Sequence, residues 1–106
     1  MVNNQYRDVS FDNEWIIRYD SVTGNQEIVA WADLQTVIIE TNDGGPYLPD
    51  VHWILIGNKG GCVIPQGIEG EEALAERLQA LPDFDHSALI DAMSSVSNQR
   101  FLCWKR

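Results

Sequence analysis

The stretch of sequence that decides the fold runs from Val51 to Pro65 and reads VHWILIGNKGGCVIP. Its two apolar segments, 51–56 and 62–65, flank a glycine-rich turn at 57–61. This pattern predicts a β-hairpin, because glycine accepts the positive φ angles of tight turns. Apolar side chains occupy both alternating faces of the first segment. We therefore expect it to be central in its sheet and covered on both sides.

Four shorter segments before the hairpin alternate as strands do, and a fifth closes the chain. They cover residues 9–11, 14–20, 27–30, 35–41 and 100–104. One face of the second segment carries Trp15, Ile17 and Tyr19, and the other carries Ile16, Arg18 and Asp20. This mixture predicts a half-solvated strand.

Residues 31–34 interrupt the β pattern and predict a single helical turn. We expect Trp31 and Leu34 to point inward from this turn. Asp33 is expected to accept a hydrogen bond from the nearby backbone, as aspartate commonly does in turns.

Two helices are predicted after the hairpin, where the period of the pattern changes. Residues 70–81 are rich in helix formers and carry acidic residues in the first turn, which the helix dipole favours. A second, shorter helix is expected to begin at Asp85, which has the chemistry of an N-cap. The side chains expected to point inward are Leu74, Leu78 and Leu81 of the first helix, and Leu89, Ile90 and Met93 of the second.

The order of elements is about six strands, one or two helices and a final strand, which favours antiparallel pairing of sequential strands. We predict an α+β fold in which a strongly bent antiparallel sheet of six or seven strands, or partly closed barrel, packs against the helices of the C-terminal half. A chain of 106 residues, 44% of them hydrophobic, can form one modest core. Residues 1–106 are therefore expected to be a single domain.

Charge narrows the choice of partner. Sixteen acidic side chains against seven basic ones give a formal net charge of −9, which opposes binding to nucleic acid phosphates and to anionic membranes. We expect neither as a partner, and a basic protein surface is the better expectation. The N-terminal sequence lacks the basic start and apolar core of a signal peptide, so a cytoplasmic location is expected.

A set of short motifs carries a resemblance to a known group of proteins. The motifs are Trp31-x-Asp33-Leu34, Gly45-Pro46, Asp50-Val51-x-Trp53, Ile64-Pro65, Leu81-Pro82-x-Phe84-Asp85, Ala92-Met93 and Phe101-x-Cys103-Trp104. Over residues 27 to 104 the chain resembles small bacterial proteins of uncharacterised function, whose β-rich shape is similar to the pleckstrin-homology-like superfold. The resemblance implies a pleckstrin-homology-like half-barrel and brings no established activity. Phosphoinositide-binding members of that superfold use basic residues around a strand loop, where this chain has only Lys59 in its hairpin turn.

The sequence contains no evident constellation of catalytic or metal-binding residues. Cys62 and His52 lie on the two arms of the hairpin, and a turn centred near Lys59 places His52 opposite about Gln66. The thiol and the imidazole would then be roughly 13 Å apart along the ladder, too far for a catalytic dyad. We expect Cys62 and Cys103 to be buried strand thiols. No metal, no cofactor and no enzymatic activity is predicted.

The candidate binding residues are Asp43, Tyr47, Leu48, Asp50 and His52. They lie in or beside the irregular segment before the hairpin, and loops on a rigid sheet often carry binding residues. Four tryptophans in so short a chain also predict that one or two of them lie on an exposed contact patch.

These observations predict a non-catalytic protein-interaction module, with an immunity or inhibitor type of protein as its specific form. The alternative is a small-ligand or enzymatic role at the open end of the sheet, near Asp43, Asp50 and His52. A third hypothesis is a homo-oligomer that pairs edge strands, with residues 100–104 as the candidate edge.

Overall fold

The strands and helices follow one another in the order that the sequence predicts. The structure is a computed structural model, and it describes residues 7–20, 22–43 and 51–106. Within these ranges the elements are β1 (Arg7–Phe11), β2 (Trp15–Asp20), β3 (Asn25–Ala30), a 3₁₀ turn (Trp31–Asp33), β4 (Leu34–Thr41), β5 (Val51–Gly57), β6 (Gly61–Pro65), α1 (Glu71–Gln79), α2 (His86–Ser94) and β7 (Gln99–Lys105). The predicted α+β class is confirmed.

The strands lie in two antiparallel sheets, whereas the sequence pattern predicts one strongly bent sheet. The first has the order β1-β2-β3 and the second the order β6-β5-β4-β7. The 3₁₀ turn at Trp31–Asp33 separates β3 from β4, and these consecutive strands do not pair. Instead β3 lies beside β6, where the Val63 N–H donates to Glu27 Oε1 at 3.0 Å. A side chain thus bridges the two sheets at this point, and neither sheet closes on itself through the described strands.

One hydrophobic core draws on both sheets and both helices. The β5–β6 hairpin supplies Trp53, Leu55, Cys62 and Ile64, all of them buried. The strand β5 is central, between β4 and β6, as its sequence predicts. At the 3₁₀ turn both Trp31 and Leu34 point into this core, which confirms that prediction. Asp33 accepts from the Asn58 N–H at 3.0 Å through its backbone carbonyl. The local side-chain bond predicted for Asp33 is not found among the described residues.

The strand β2 is half solvated as expected, but its aromatic face is the outer one. Ile16 is fully buried between Phe11 and Val29, its neighbours on β1 and β3. Trp15 is 46% exposed on the opposite face. Alternation identifies two faces of a strand without saying which one turns inward, because that depends on the register with both neighbours.

The leucine pattern predicted for α1 is confirmed. For α2 the predicted start is confirmed, but the prediction of which side chains point inward is not. Leu78 of α1 is fully buried, and Asp85 caps α2 by accepting from the Ala88 N–H at 3.0 Å. The inward direction predicted for Ile90 and Met93 is wrong, since they are 65% and 46% exposed. The buried row of α2 instead contains alanine, whose small side chain allows the helix to approach β4 and β7 closely. Neither helix has the length and apolar character that crossing a bilayer requires, in the part of the chain that is described.

Candidate interaction surface

An unbroken row of aliphatic side chains crosses the outer face of the four-stranded sheet. Val63 of β6 is paired with Ile54 of β5, Ile54 with Ile38 of β4, and Ile38 with Leu102 of β7. We call these four residues the aliphatic stripe. Adjacent strands are about 4.8 Å apart, so the stripe extends about 14 Å across the sheet.

The stripe faces away from the core. Val63 is 41% exposed and Leu102 is 51% exposed, while Ile38 and Ile54 between them are half-buried by their neighbours. The expectation that β5 is covered on both faces is therefore not met by the described residues. The inner face of β5 carries the buried residues Trp53 and Leu55, whereas on its outer face Ile54 is half-buried and Ile56 is exposed.

A local irregularity directs Leu102 outward. The register between β4 and β7 shifts between Val37 and Ile38, so β7 has a bulge there. Cys103 and Trp104 are consequently both buried, although they are neighbours in one strand. A bulge adds one residue to a strand and resets its alternation, and it thus explains how Leu102 joins the stripe while two successive residues join the core.

Polar residues flank the stripe on one side. The row beside it runs from Pro65 through His52 and Glu40 to Arg100. Arg100 Nε lies 2.8 Å from Glu40 Oε2 in an exposed ion pair. The Nδ1 atom of His52 is buried and has no hydrogen-bond partner among the described residues. His52, one of the predicted binding residues, therefore lies beside this surface.

The other predicted binding residues do not meet at this surface in the described structure. Tyr47, Leu48 and Asp50 fall outside the described residues. Asp43 is exposed beyond the end of β4, and its N–H donates to Asn98 Oδ1 at 3.2 Å. The small-ligand role near Asp43, Asp50 and His52 stays a prediction.

The cysteines are placed for packing. Cys62 is opposite Leu55 and His52 is opposite Pro65, one residue off the predicted register, and the two side chains lie on opposite faces of the hairpin. Burial, together with the nearby Glu27 carboxylate, raises the pKa of Cys62 to about 12. Burial also raises the pKa of Cys103 to about 11. Both are free, buried thiols, as predicted, and both are protonated at neutral pH.

Three of the four tryptophans belong to the core and have partners for their indole N–H groups. Trp31 donates to the Asp12 carbonyl at 2.8 Å, Trp53 to Glu71 Oε2 at 2.9 Å, and Trp104 to the Pro82 carbonyl at 2.8 Å. Trp15 is the exposed one, and it lies on the outer face of the three-stranded sheet near Ile28, which is 47% exposed. The expected surface tryptophan is therefore present, on the sheet that does not carry the stripe.

Comparison with known proteins gives no functional assignment, so the function is inferred from the geometry of the described residues. No protein-family model, curated protein or solved structure matches this chain. In the described ranges, no three His, Cys, Asp or Glu side chains cluster as ligands for a metal ion.

The sequence contains a signal for the stripe in β5 and β6. Ile54 and Ile56 lie on the second face of β5, which the sequence pattern predicts to be covered. In the neighbouring strand, Cys62, Val63 and Ile64 are three successive apolar residues. A strand that buries one face needs apolar side chains only at alternate positions, so Val63 is one more than that face requires. Two adjacent strands with surplus apolar residues indicate a second apolar face. Whether other parts of the chain cover that face is a tertiary property that periodicity does not report.

Proposed function

We propose that this protein is a non-catalytic protein-interaction module that binds its partner through the aliphatic stripe. The observation that carries the proposal is a row of four aliphatic side chains on the outer face of four strands, with Val63 and Leu102 exposed and Ile38 and Ile54 half-buried. Single exposed apolar residues are ordinary, but contiguous ones bordered by polar residues are typical of protein contact sites. The strands beneath the stripe are already paired with one another, so little backbone ordering is required on binding.

The charge of the chain supports a basic partner. A formal net charge of −9 attracts cationic proteins over a distance comparable with the Debye length and raises the association rate. A small acidic domain of this kind suits an immunity or inhibitor protein that masks a cationic target, and it suits the cytoplasmic location proposed from the sequence.

A comparison of capture by matched variants tests the proposal. Leu102→Glu and, separately, Val63→Glu place a carboxylate in the stripe, where a bound partner would have to desolvate it. The matched control is Ile28→Glu, which makes the same change at a similarly exposed strand position of the other sheet. We expect partner recovery from native lysate, measured by quantitative mass spectrometry at low salt, to fall at least tenfold for the stripe variants only.

Two results would refute the stripe as the contact surface. One is equal recovery by the stripe variants and the wild type, with circular dichroism showing that all variants are folded. The other is loss of the partner with Ile28→Glu alone, which would place the contact on the sheet of Trp15. Failure to capture any specific partner would count against the interaction module itself.

Self-association through β7 is a second candidate, and the topology favours it. The strand β7 lies at the edge of the four-stranded sheet and carries Leu102 of the stripe. An edge strand with an apolar residue is a template for pairing with another copy. Light scattering at high protein concentration tests this: a dimer that Leu102→Glu dissociates would support it, and a monomer would remove it.

We also propose, from the sequence motifs, a relation to the pleckstrin-homology-like proteins and their half-barrel. Two antiparallel sheets of three and four strands, with β3 beside β6, are compatible with that relation. An experimental structure of the pure protein tests it directly. Two sheets packed face to face, with no common bend at β3 and β6, would contradict the half-barrel.

A further inference from the structure

A second surface, separate from the stripe, lies between the two helices. An open groove of about 340 Å³ runs between α1 and α2, with Trp53 of β5 at its base. Its floor is apolar: Leu89 and Met93 lie one turn apart on α2, and Ala75 of α1 leaves the space between the helices open. The size is at the lower end of the range of ligand pockets in proteins. It can accommodate one or two side chains of a partner, not a whole domain.

The wall of the groove on α1 is acidic. Glu72 and Glu76 lie one turn apart and are exposed, and Glu71 lies at the base of the same wall. Among the described residues that line the groove, none is positively charged. The ion pairs found in the described ranges, Arg18–Asp20 and Arg100–Glu40, are both elsewhere. Like charges four residues apart destabilise a helix, so the free protein retains a repulsion that a bound cation would relieve.

The base of the wall is fixed in position. Glu71 is only 4% exposed, and both of its carboxylate oxygens accept hydrogen bonds. Oε2 accepts from the Trp53 indole at 2.9 Å, and Oε1 accepts from the Gly67 N–H at 3.2 Å. These bonds tie α1 to β5 and to the segment that precedes α1. Glu71 therefore fixes the first turn of the α1 wall in position before a partner binds.

We propose that this groove binds a basic amphipathic segment of a partner protein, with one apolar side chain on the Leu89–Met93 floor and lysine or arginine against Glu72 and Glu76. Charge complementarity selects this occupant, because the groove combines an apolar floor with an acidic wall that has no cation of its own. Methionine suits such a floor, since its flexible thioether adapts to different apolar side chains. The inference rests on the proposed interaction module and names the chemistry of the partner segment that it recognises.

The probe for a binding test is a fluorescein-labelled amphipathic peptide of leucine and lysine, about four helical turns long. Its affinity for the full chain is measured by fluorescence anisotropy. Glu72→Gln combined with Glu76→Gln is expected to weaken binding about fivefold, the effect of two solvated charge pairs. The control, Glu14→Gln combined with Asp83→Asn, removes two exposed carboxylates outside the groove. It is expected to bind as the wild type does.

The position of the peptide can be observed directly. The chain contains two methionines, Met1 and Met93. With ¹³C-methyl methionine, NMR therefore gives two methyl signals, and the Met93 signal is expected to shift on addition of the peptide. Met93→Lys, at a position that is 46% exposed, is expected to abolish binding without unfolding the protein. Met93→Leu is expected to retain binding.

Each contrary result has a definite meaning. Equal loss of affinity in the groove variant and the control would show attraction to total charge, and it would overturn the groove. An unshifted Met93 signal would overturn it as well. Binding of spermidine at the groove without binding of the peptide would show a small-cation site instead. Leu102 lies outside the groove, so the Leu102→Glu variant should bind the peptide normally. If the wild type fails to bind the peptide but still captures its partner through the stripe, only the groove is refuted.

Discussion

At the scale of single residues, Gly70 is the described glycine at which an added side chain would make the closest contact. Its φ of +91° is in the left-handed region, and a Cβ atom there would overlap the backbone carbonyl oxygen of Val9. The close approach of the two backbones allows the Val9 N–H to donate to the Glu69 carbonyl at 3.0 Å. This contact joins β1 to the residues that begin α1.

We predict that Gly70→Ala lowers the free energy of unfolding by about 3 kcal/mol, through left-handed strain plus the clash with backbone. The matched control is Gly24→Ala. Gly24 has a similar φ of +78°, but no atom lies within 4 Å of an added Cβ. It should lose only the strain, about 1 kcal/mol. Urea unfolding measures both values, and equal losses would disprove the close contact between Gly70 and Val9.

The buried thiols predict how stability depends on alkaline pH. The pKa of Cys62 is raised to about 12 in the folded protein, against 9.0 for an ordinary thiol. Above about pH 9 the unfolded chain releases this proton while the folded chain retains it. Stability is therefore complete below about pH 9 and falls as pH rises towards 12, by up to about 1.4 kcal/mol per pH unit for one thiol.

Urea unfolding of the wild type and of Cys62→Ala between about pH 8 and 10 checks this sign. Tyrosines and lysines titrate in both proteins, so the difference between the two slopes isolates the thiol. The alanine variant is expected to have the shallower decline. Parallel declines would mean that the thiol is accessible to water, and rapid reaction of the native protein with a thiol reagent would agree with that.

At the scale of elements, the cap of α2 provides a local test of the fold. Asp85 accepts from the Ala88 N–H, while its own N–H donates to the Cys103 carbonyl at 2.7 Å. The cap therefore starts the helix and also attaches it to β7. Asp85→Ala is expected to cost about 1 kcal/mol. The control is Asp91→Ala, which removes the same charge from an exposed position of the same helix. Its free energy of unfolding, measured with urea as for Asp85→Ala, should stay within about 0.5 kcal/mol of the wild type.

The elements themselves could be predicted because their signals are local. The Asp85 cap and the leucine period of 70–81 each lie within a few residues of the structure that they specify, and both are confirmed. The facing of an element depends on partners that are distant in sequence. Ile16 is buried because β1 and β3 flank it, and Met93 is exposed because an alanine row packs against the sheet instead.

The candidate surfaces could be predicted only in part, for the same reason. The place of His52 beside a loop predicts a binding role, and the structure places the residue in the row next to the stripe. The stripe itself arises from three registers and a bulge in β7, which bring Val63, Ile54, Ile38 and Leu102 into line across more than sixty residues of sequence. The groove requires two helices to lie side by side. Neither arrangement is encoded in any single stretch of the chain.

At the scale of the whole molecule, the large net negative charge opposes compaction, because folding brings the carboxylates close together. The radius of gyration is 13.6 Å, and the formal net charge is −9. The screening length is about 30 Å at 0.01 M salt and about 8 Å at 0.15 M. At low salt every carboxylate therefore repels most of the others, whereas at physiological salt only neighbours interact. The ion pairs of the described residues, Arg18–Asp20 and Arg100–Glu40, neutralise little of this charge.

We accordingly predict that potassium chloride raises the free energy of unfolding between 0.01 M and 0.15 M, because screening relieves repulsion that is stronger in the compact state than in the expanded chain. Urea midpoints at the two salt concentrations measure the effect. The control is Glu14→Lys at an exposed position, which reduces the net charge by two and should reduce the salt response. A fall in stability with salt would show that favourable charge pairs outweigh the net repulsion. The same salt range should slow association with a cationic partner, so folding and binding are expected to respond to salt in opposite directions.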